Sequence, residues 1–328
     1  MAIRYIAVDS GKADTKVCTE LNGDITGSRR KFPTRVEEMT DCGGLNTLLG
    51  MGDAGFVVEY AGKIYGVGDI VNSDYSFTSN QSSKNDIIHK IATLTAIAIS
   101  VDNDDQVYVA IGCPIEIFSS KVNREDYLNN ILPAGRIDIT VNGISKHFTI
   151  VSKIVLPESF GIIFINPKIF ESKYIGIIDI GELNVNGAAM NKGMIASKAC
   201  FTEKLGRRAI ERAVKEYAEA KYETSFSMRE IHFFIEQGFI TDNMDPAAEE
   251  ESKHYIDQVM TKHIEKISKA CQNRGWDLSE MHLVFVGGTS IFLKEKIVTS
   301  FPKAFVVDDA NYANVQGFLK RLCQKERA

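Results

Sequence analysis

Asp9, Ser10, Gly11 and Lys16 fall within one short stretch, Tyr5-Ile6-Ala7-Val8-Asp9-Ser10-Gly11-Lys12-Ala13-Asp14-Thr15-Lys16-Val17. An apolar run ending in Asp puts a carboxylate at the tip of a buried strand. Ser10 and Gly11 then let the chain reverse with backbone N–H groups turned inward, a geometry that suits a phosphate oxygen. A returning strand brings the Lys16 ammonium back beside the same turn. Together they make a carboxylate, a backbone nest and a cation, a set able to hold a metal-bound polyphosphate. Asp-Ser-Gly is equally the composition of an ordinary hairpin turn.

The pattern recurs. Tyr174-Ile175-Gly176-Ile177-Ile178-Asp179-Ile180-Gly181-Glu182-Leu183-Asn184-Val185-Asn186 again reads as a buried strand, Asp, one residue, Gly and a returning strand, about half a chain length later. Such spacing is expected of two related halves facing one another across a cleft. A third stretch, His282-Leu283-Val284-Phe285-Val286-Gly287-Gly288-Thr289-Ser290, runs a strand into two glycines. Thr289 or Ser290 is placed to cap a helix starting at Ile291, and the glycines let a flat group lie against the backbone. A plain glycine turn before a helix fits the same residues.

The elements that must position these residues read as a mixed α/β chain. A helix is expected over 84–100 and another over 119–132, with strands at 106–111 and 136–155, the latter folded at Asn142-Gly143. Phe56 to Gly68 forms a hairpin turning at Ala61-Gly62. Residues 36–54 form a surface loop or small insertion. Pro157 suits a helix start, which would make Glu158 a first-turn carboxylate. In the second half a strand is expected from Met194 to Cys200. Helices follow over 203–222, 228–237 and 247–273, and a last one over 311–324. His263 sits on the apolar stripe of the third and reads as a core histidine. Leu319, Leu322 and Cys323 share one side of the last helix, which packs on the first domain or meets a membrane or partner.

With 328 residues, 44% of them hydrophobic and 25% charged, the chain is long enough for two domains with well-buried cores. A formal charge of −5 argues against direct, sequence-independent nucleic-acid binding. Six scattered cysteines, Cys18, Cys42, Cys113, Cys200, Cys271 and Cys323, form no zinc-ligand spacing and read as reduced thiols. No run reaches the roughly 20 apolar residues of a membrane span, and a cytoplasmic location is expected.

The ordered set of strand-Asp-x-Gly, strand-Asp-x-Gly and strand-Gly-Gly-Thr resembles the superfamily of actin, heat-shock chaperone and sugar-kinase ATPases. Phe32-Pro33-Thr34, Tyr60 to Gly68, His89-Lys90, Pro157-Glu158-Ser159 and Ala313-Asn314-Val315-Gln316-Gly317-Phe318 narrow it to the plasmid-segregation actins of the ParM (StbA) type. The resemblance implies an actin-like (ribonuclease H-like) α/β fold with two related domains flanking a nucleotide cleft. The first domain spans 1–166, with 25–83 as a smaller subdomain and the 310–328 tail helix packed back on it; the second spans 167–309.

It further implies that Asp9 and Asp179 hold Mg²⁺ and that Glu158 orients the attacking water. Ser10, Gly11, Lys12 and Lys16 would cradle the phosphates, and Gly181 and Glu182 would approach them from the other side. Gly287, Gly288 and Thr289 would lie along the nucleoside, with Lys204, Glu211 or Lys215 as candidates for base or ribose contacts. Glu182-Leu183-Asn184 departs from the family's second turn, and a carboxylate at Glu182 would repel a polyphosphate unless it points away or meets a cation. The implied function is an ATPase, using ATP or GTP, that assembles head-to-tail and moves plasmid DNA through a ParR-like adaptor bound to centromere DNA, without contacting nucleic acid or membrane itself. A small-molecule kinase of the same superfamily and a cytoskeletal scaffold with structural nucleotide are the alternatives.

Overall fold

The uninterrupted apolar run before Asp9 needs cover on both faces of its strand, which parallel pairing under flanking helices provides. A computed structural model describes residues 2–21, 24–39, 54–71, 86–171, 174–240 and 246–327. The chain divides into two compact units, Met1–Asn166 with Tyr312–Ala328, and Pro167–Asn311.

In the first unit β1 (Ile3–Ser10), β2 (Asp14–Leu21), β3 (Asp24–Pro33), β4 (Val36–Met39), β5 (Gly55–Tyr60), β6 (Lys63–Gly68), β7 (Gln106–Cys113), β8 (Gly135–Val141) and β9 (Ile144–Pro157) make one sheet. Its order is β3-β2-β1-β7-β9-β8-β5-β6-β4, with β1, β7 and β9 parallel at the centre. Helices α1 (Ile87–Ala98), α2 (Ile115–Phe118) and α3 (Lys121–Ile131) belong to this unit, as do α4 (Gly161–Ile165) and α11 (Ala313–Arg327). Strand alternation sorts the core: Ile6 and Val8 join Ile91, Leu94 and Ile97 of α1, whereas Ala7 and Ala110 meet Val315, Phe318, Leu319 and Leu322 of α11. Small residues on that second face let α11 lie close.

Where α4 meets α11 the fit is closer still, because a methyl group on Gly317 would fall 1.9 Å from the Gly161 carbonyl oxygen. Hairpin turns at Ala61-Gly62 and Asn142-Gly143 both have positive φ at each residue, the geometry such pairs favour. The helix expected over 119–132 is α3, preceded by the short α2 and started by Ser120, whose hydroxyl accepts from the Asn123 N–H. Of the expected 36–54 loop, 36–39 form β4, and 40–53 lie outside the described residues.

The second unit holds β10 (Tyr174–Ile180), β11 (Val185–Asn191), β12 (Met194–Ile195), β13 (Phe201–Glu203), β14 (His282–Val286) and β15 (Phe305–Val306). Its sheet runs β12-β11-β10-β14-β15, with β13 paired to β11. Around it lie α5 (Pro167–Phe170), α6 (Arg207–Tyr222), α7 (Met228–Gln237), α8 (Pro246–Asn273), α9 (Gly288–Phe292) and α10 (Lys294–Ser300). The strand expected over 194–200 stops at Ile195, and a 3₁₀ turn, Ser197–Ala199, follows. Helix α6 starts at Arg207 rather than 203, because Phe201–Glu203 is spent on β13. A full capping box at Ser227 and Glu230 starts α7, and Gly238 at φ 86° ends it.

His263 is buried on α8, and desolvation holds its imidazole down at about 4 despite a hydrogen bond to the Leu205 backbone. Cys18, Cys113, Cys200, Cys271 and Cys323 are reduced, forming no disulfide among the described residues, and Cys42 lies outside them. Among the described residues no helix is long and apolar enough to cross a membrane.

Candidate functional site

In the first unit three strands end together. Parallel pairing sets Val8 beside Ile111 and Cys113 beside Pro157, so Asp9, Gly112 and Glu158 emerge at the same edge of the sheet. Asp9 is 8% exposed. A methyl group on Gly112 would lie 3.1 Å from Asp9 Oδ1, 3.6 Å from Glu158 Cγ and 2.9 Å from the Phe318 ring. Glycine at 112 is therefore what allows the two carboxylates and α11 to converge. The Gly112 carbonyl accepts from the Tyr127 hydroxyl at 3.2 Å, and the Glu158 N–H donates to Cys113 O at 2.9 Å, which fixes both residues. Burial, then the charges of Glu158 and Asp9, push the Tyr127 phenol well up, so it stays a neutral donor.

Glu158 does not begin a helix. Pro157 ends β9, Ser159 takes a positive φ of 70°, and α4 starts only at Gly161. Its carboxylate thus sits on a strand-to-helix corner rather than at a helix terminus.

The two Asp-x-Gly hairpins have the same construction. Asp9 pairs with Lys16 and Ser10 with Thr15; Asp179 pairs with Asn186 and Ile180 with Val185. Gly11 N donates to Asp14 O and Gly181 N to Asn184 O, each at 2.9 Å. Each first strand has an antiparallel partner on one side and a parallel one, β7 or β14, on the other. Both glycine amides are spent closing their turns, so what each glycine offers a phosphate is a bare Cα. The equivalent of Lys16 in the second hairpin is the uncharged Asn186.

Asp179 lies beside the end of β14, as Asp9 does beside β7. Gly287 has φ 88°, and a methyl group there would stand 2.4 Å from Asp179 Oδ1 and 2.5 Å from Ile180 O. Only glycine fits on both counts. The expected cap is corrected: α9 begins at Gly288, not Ile291. The Thr289 hydroxyl donates back to Gly181 O at 3.0 Å and the Ser290 hydroxyl to Val286 O at 2.6 Å. Thr289 thereby ties the Gly-Gly stretch to the second hairpin.

Glu182, the departure in the second turn, meets a cation. Arg208 Nε lies 3.4 Å from its carboxylate, and behind it Glu211 accepts from Arg207 at 3.1 Å and from His232 at 2.7 Å. The N–H groups of Gly206, Arg207 and Arg208 donate to the carbonyls of Leu183, Gly181 and Glu182, so the turn itself caps α6. A methyl group on Gly206 would fall 2.3 Å from Glu182 O, which accounts for glycine there.

Burial and the nearby Glu211 raise the Glu182 carboxyl against the pull of Arg208 and Arg207. Burial would raise Glu211 too, but His232 and the arginines bring it below the usual range, and Glu211 in turn raises His232. One ligand atom each from Glu182, Glu211 and His232 lie within 4.8 Å of one another, a donor set suited to a divalent cation. Arg207 and Arg208 already supply that positive charge, so the group is an ion-pair network.

Of the residues singled out beforehand, the first unit brings together Asp9, Ser10, Gly11, Lys12, Lys16 and Glu158, and the second Asp179, Gly181, Glu182, Gly287, Gly288 and Thr289. Lys204 is exposed ahead of α6, and Lys215 pairs with Glu219 at 3.7 Å. Glu211 is buried, with Oε2 lacking a hydrogen-bond partner. Gly112, Gly206, Tyr127, Arg207 and Arg208 were not anticipated; Gly206-Arg207-Arg208 opening a helix was the one visible signal.

Residues 7–161 match the family of actin-like protein N-terminal domains. The first half of this chain is thus an actin-like N-terminal domain. No curated protein matches it in sequence. Among solved structures, the whole chain is similar to the Alp12 filament structure, at 22% identity over 99% of this chain and 100% of that one, with a TM-score of 0.72. A 15-stranded ParM filament from Clostridium botulinum matches at 18% identity, covering 99% and 100%, with a TM-score of 0.74. Ta0583, an archaeal actin homologue in complex with ADP, matches at 14% identity, covering 99% and 100%, with a TM-score of 0.73. The chain has an actin-like fold in two domains, as the ordered motifs implied.

Proposed function

We propose that this chain is a nucleotide-driven, polymerising actin-like ATPase whose head-to-tail filaments segregate plasmid DNA. The observation that carries this reading is the duplicated hairpin, with Asp9 and Asp179 at one register and Glu158 set against Asp9 across Gly112. Filaments among proteins of the same fold, and an ADP complex of another, support it.

Asp9 and Asp179 offer the hard oxygen ligands that Mg²⁺ prefers, and the space a side chain at Gly287 would fill lies against Asp179. Mg²⁺, when bound, offsets negative charge on the phosphoryl oxygens. Ser10, Gly11, Lys12 and Gly181 meet the phosphates, and the Lys16 ammonium stabilises the charge that develops on them. Glu158 accepts a hydrogen bond from the attacking water and aligns it. The unpartnered Glu211 Oε2 takes a hydroxyl of the nucleoside, while Gly287, Gly288 and Thr289 lie along it. Arg208 draws the Glu182 carboxylate towards α6, so the departure in the second turn is compatible with an anionic ligand.

Self-association is heterologous, which gives an open filament rather than a closed ring. Cargo attaches through a ParR-like adaptor on centromere DNA, in keeping with the chain's own net negative charge. The test is light scattering with pelleting, for wild type and Glu158→Ala, after adding ATP, GTP or a non-hydrolysable analogue with Mg²⁺ or with chelator. Scattering should rise and decay in wild type, persist in Glu158→Ala and vanish on chelation. Wild-type protein that stays soluble at saturating ATP and Mg²⁺ removes the filament from the reading.

A further inference from the structure

The His89-Lys90 pair on α1 has no part in the proposal so far, yet His89 reaches the phosphate turn. Ser10 ends β1 with its side chain on the face opposite Asp9. Its hydroxyl lies 3.0 Å from His89 Nδ1 and 3.2 Å from Thr15 Oγ1, which in turn is 2.8 Å from Thr34 Oγ1. All four residues are buried, His89 at 5% exposure and Thr15 at 0%. The backbone joins the same chain of contacts, with Thr34 N donating to Ala13 O at 2.7 Å and Asp86 capping α1 through the His89 N–H. The turn, the β3–β4 corner and the start of α1 are therefore tied at one point.

We propose that His89 is a positioning residue that makes the Ser10 hydroxyl a dedicated phosphate donor, an inference that rests on the nucleotide reading above. A hydroxyl has one proton and two lone pairs. If Thr34 donates to Thr15, Thr15 to Ser10, and the His89 Nδ1–H to Ser10, both Ser10 lone pairs are filled and its proton is unspent. If instead Nδ1 is the acceptor, Ser10 gives its proton to His89 and has none for a ligand. With no ligand at the turn the second arrangement gives the Ser10 proton an acceptor, whereas the first holds that proton ready for a ligand. An ionised phosphate at the turn accepts hydrogen bonds, and it selects the first arrangement. The imidazole tautomer and the ligand are thus coupled: His89 must carry its proton on Nδ1 for Ser10 to serve the phosphate.

The experiment is calorimetric titration of the full chain with ATP, ADP and adenosine in Mg²⁺, comparing wild type with Ser10→Ala, His89→Leu, His89→Gln and His89→Asn. An Asn amide places an N–H close to where Nδ1 sits, whereas Gln carries its amide further out. Ser10→Ala and His89→Leu should weaken phosphorylated nucleotide about tenfold, the scale of a lost hydrogen bond to a charged group, with adenosine unchanged. His89→Asn should recover most of that loss and His89→Gln little. Equal losses for ATP and adenosine would make His89 merely structural, and full affinity in Ser10→Ala or His89→Leu would overturn the inference outright. If His89→Leu fails to fold, the Asn and Gln pair decides alone: equal behaviour of the two overturns it. Wild type that binds no nucleotide defeats the nucleotide reading itself, and this inference with it. Wild-type binding left intact in the variants defeats the inference alone.

Discussion

At the scale of single residues, the site depends as much on absent side chains as on present ones. Gly112 is the sharpest case, because Asp9, Glu158 and Phe318 all press on the space a Cβ would take. Gly112→Ala is expected to fold and to bind nucleotide, since the atoms it meets are side-chain atoms that can shift. The Phe318 ring and the Asp9 carboxylate, at 2.9 and 3.1 Å, must give way, and displacements approaching 1 Å at a reacting centre cost on the order of 100-fold in rate. Phosphate release at saturating ATP should therefore fall about 10- to 100-fold while nucleotide affinity changes little. Unaltered turnover would mean that the position of Asp9 does not depend on the space at Gly112. The two Asp-x-Gly turns, with Asp9 and Asp179, stood out in the sequence because buried strands ending in Asp-x-Gly are local patterns. Gly112 did not, because the atoms it makes room for come from three distant segments.

Among the elements, those with strong local periodicity were readable: α7 runs from Met228 to Gln237 as expected, and α8 differs by one residue at its start. Errors arose where tertiary pairing overrode local preference. Pro157 extends β9 because Cys113 offers it a parallel partner, and Phe201–Glu203 leaves α6 to pair with β11. The tail motif Ala313 to Phe318 was visible as a motif, but its cause lies in the approach of α11 to α4 at Gly161 and Gly317. Gly317→Ala should push these helices apart and destabilise the first unit by about 1–3 kcal/mol. Chemical denaturation would report this, and an unchanged midpoint would show that α11 can shift at no cost.

Helix α8 carries a pH dependence. The His263 imidazole is held at about 4 when folded, against 6.5 for the ordinary group, so the folded chain keeps it neutral while the unfolded chain protonates it. Its contribution is complete above 6.5 and is lost as pH falls through the window down to about 4. Relative to His263→Leu, wild type should lose about 2 kcal/mol of stability between roughly pH 7.5 and pH 5. His232 has the opposite sign, since Glu211 raises it: its contribution is present at low pH and fades as pH rises through the raised value. The comparison with His263→Leu cancels that background. Parallel pH profiles for the two proteins would mean that His263 is hydrated and titrates normally.

For the whole molecule, the quantity that matters to assembly is a balance between contact and charge. Each chain carries a formal charge of −5, so stacking copies into the filament proposed above sets like charges at short range along its whole length. Repulsion of this kind is felt over about 30 Å at 0.01 M salt and over about 8 Å at 0.15 M. Apolar side chains left exposed, such as Met194 at 74%, Phe233 at 57% and Phe305 at 54%, offer attraction that salt does not screen. Raising the salt over that range with ATP and Mg²⁺ held saturating should therefore lower the critical concentration for assembly several-fold. The opposite trend, a critical concentration that climbs with salt, would mean that the subunit contacts are made chiefly of opposed ion pairs. Measuring the supernatant concentration after pelleting at a series of salt concentrations separates the two, because screening acts with opposite sign on net repulsion and on local pairing. The measurement needs a non-hydrolysable analogue beside ATP, so that a change in turnover is not read as a change in contact strength.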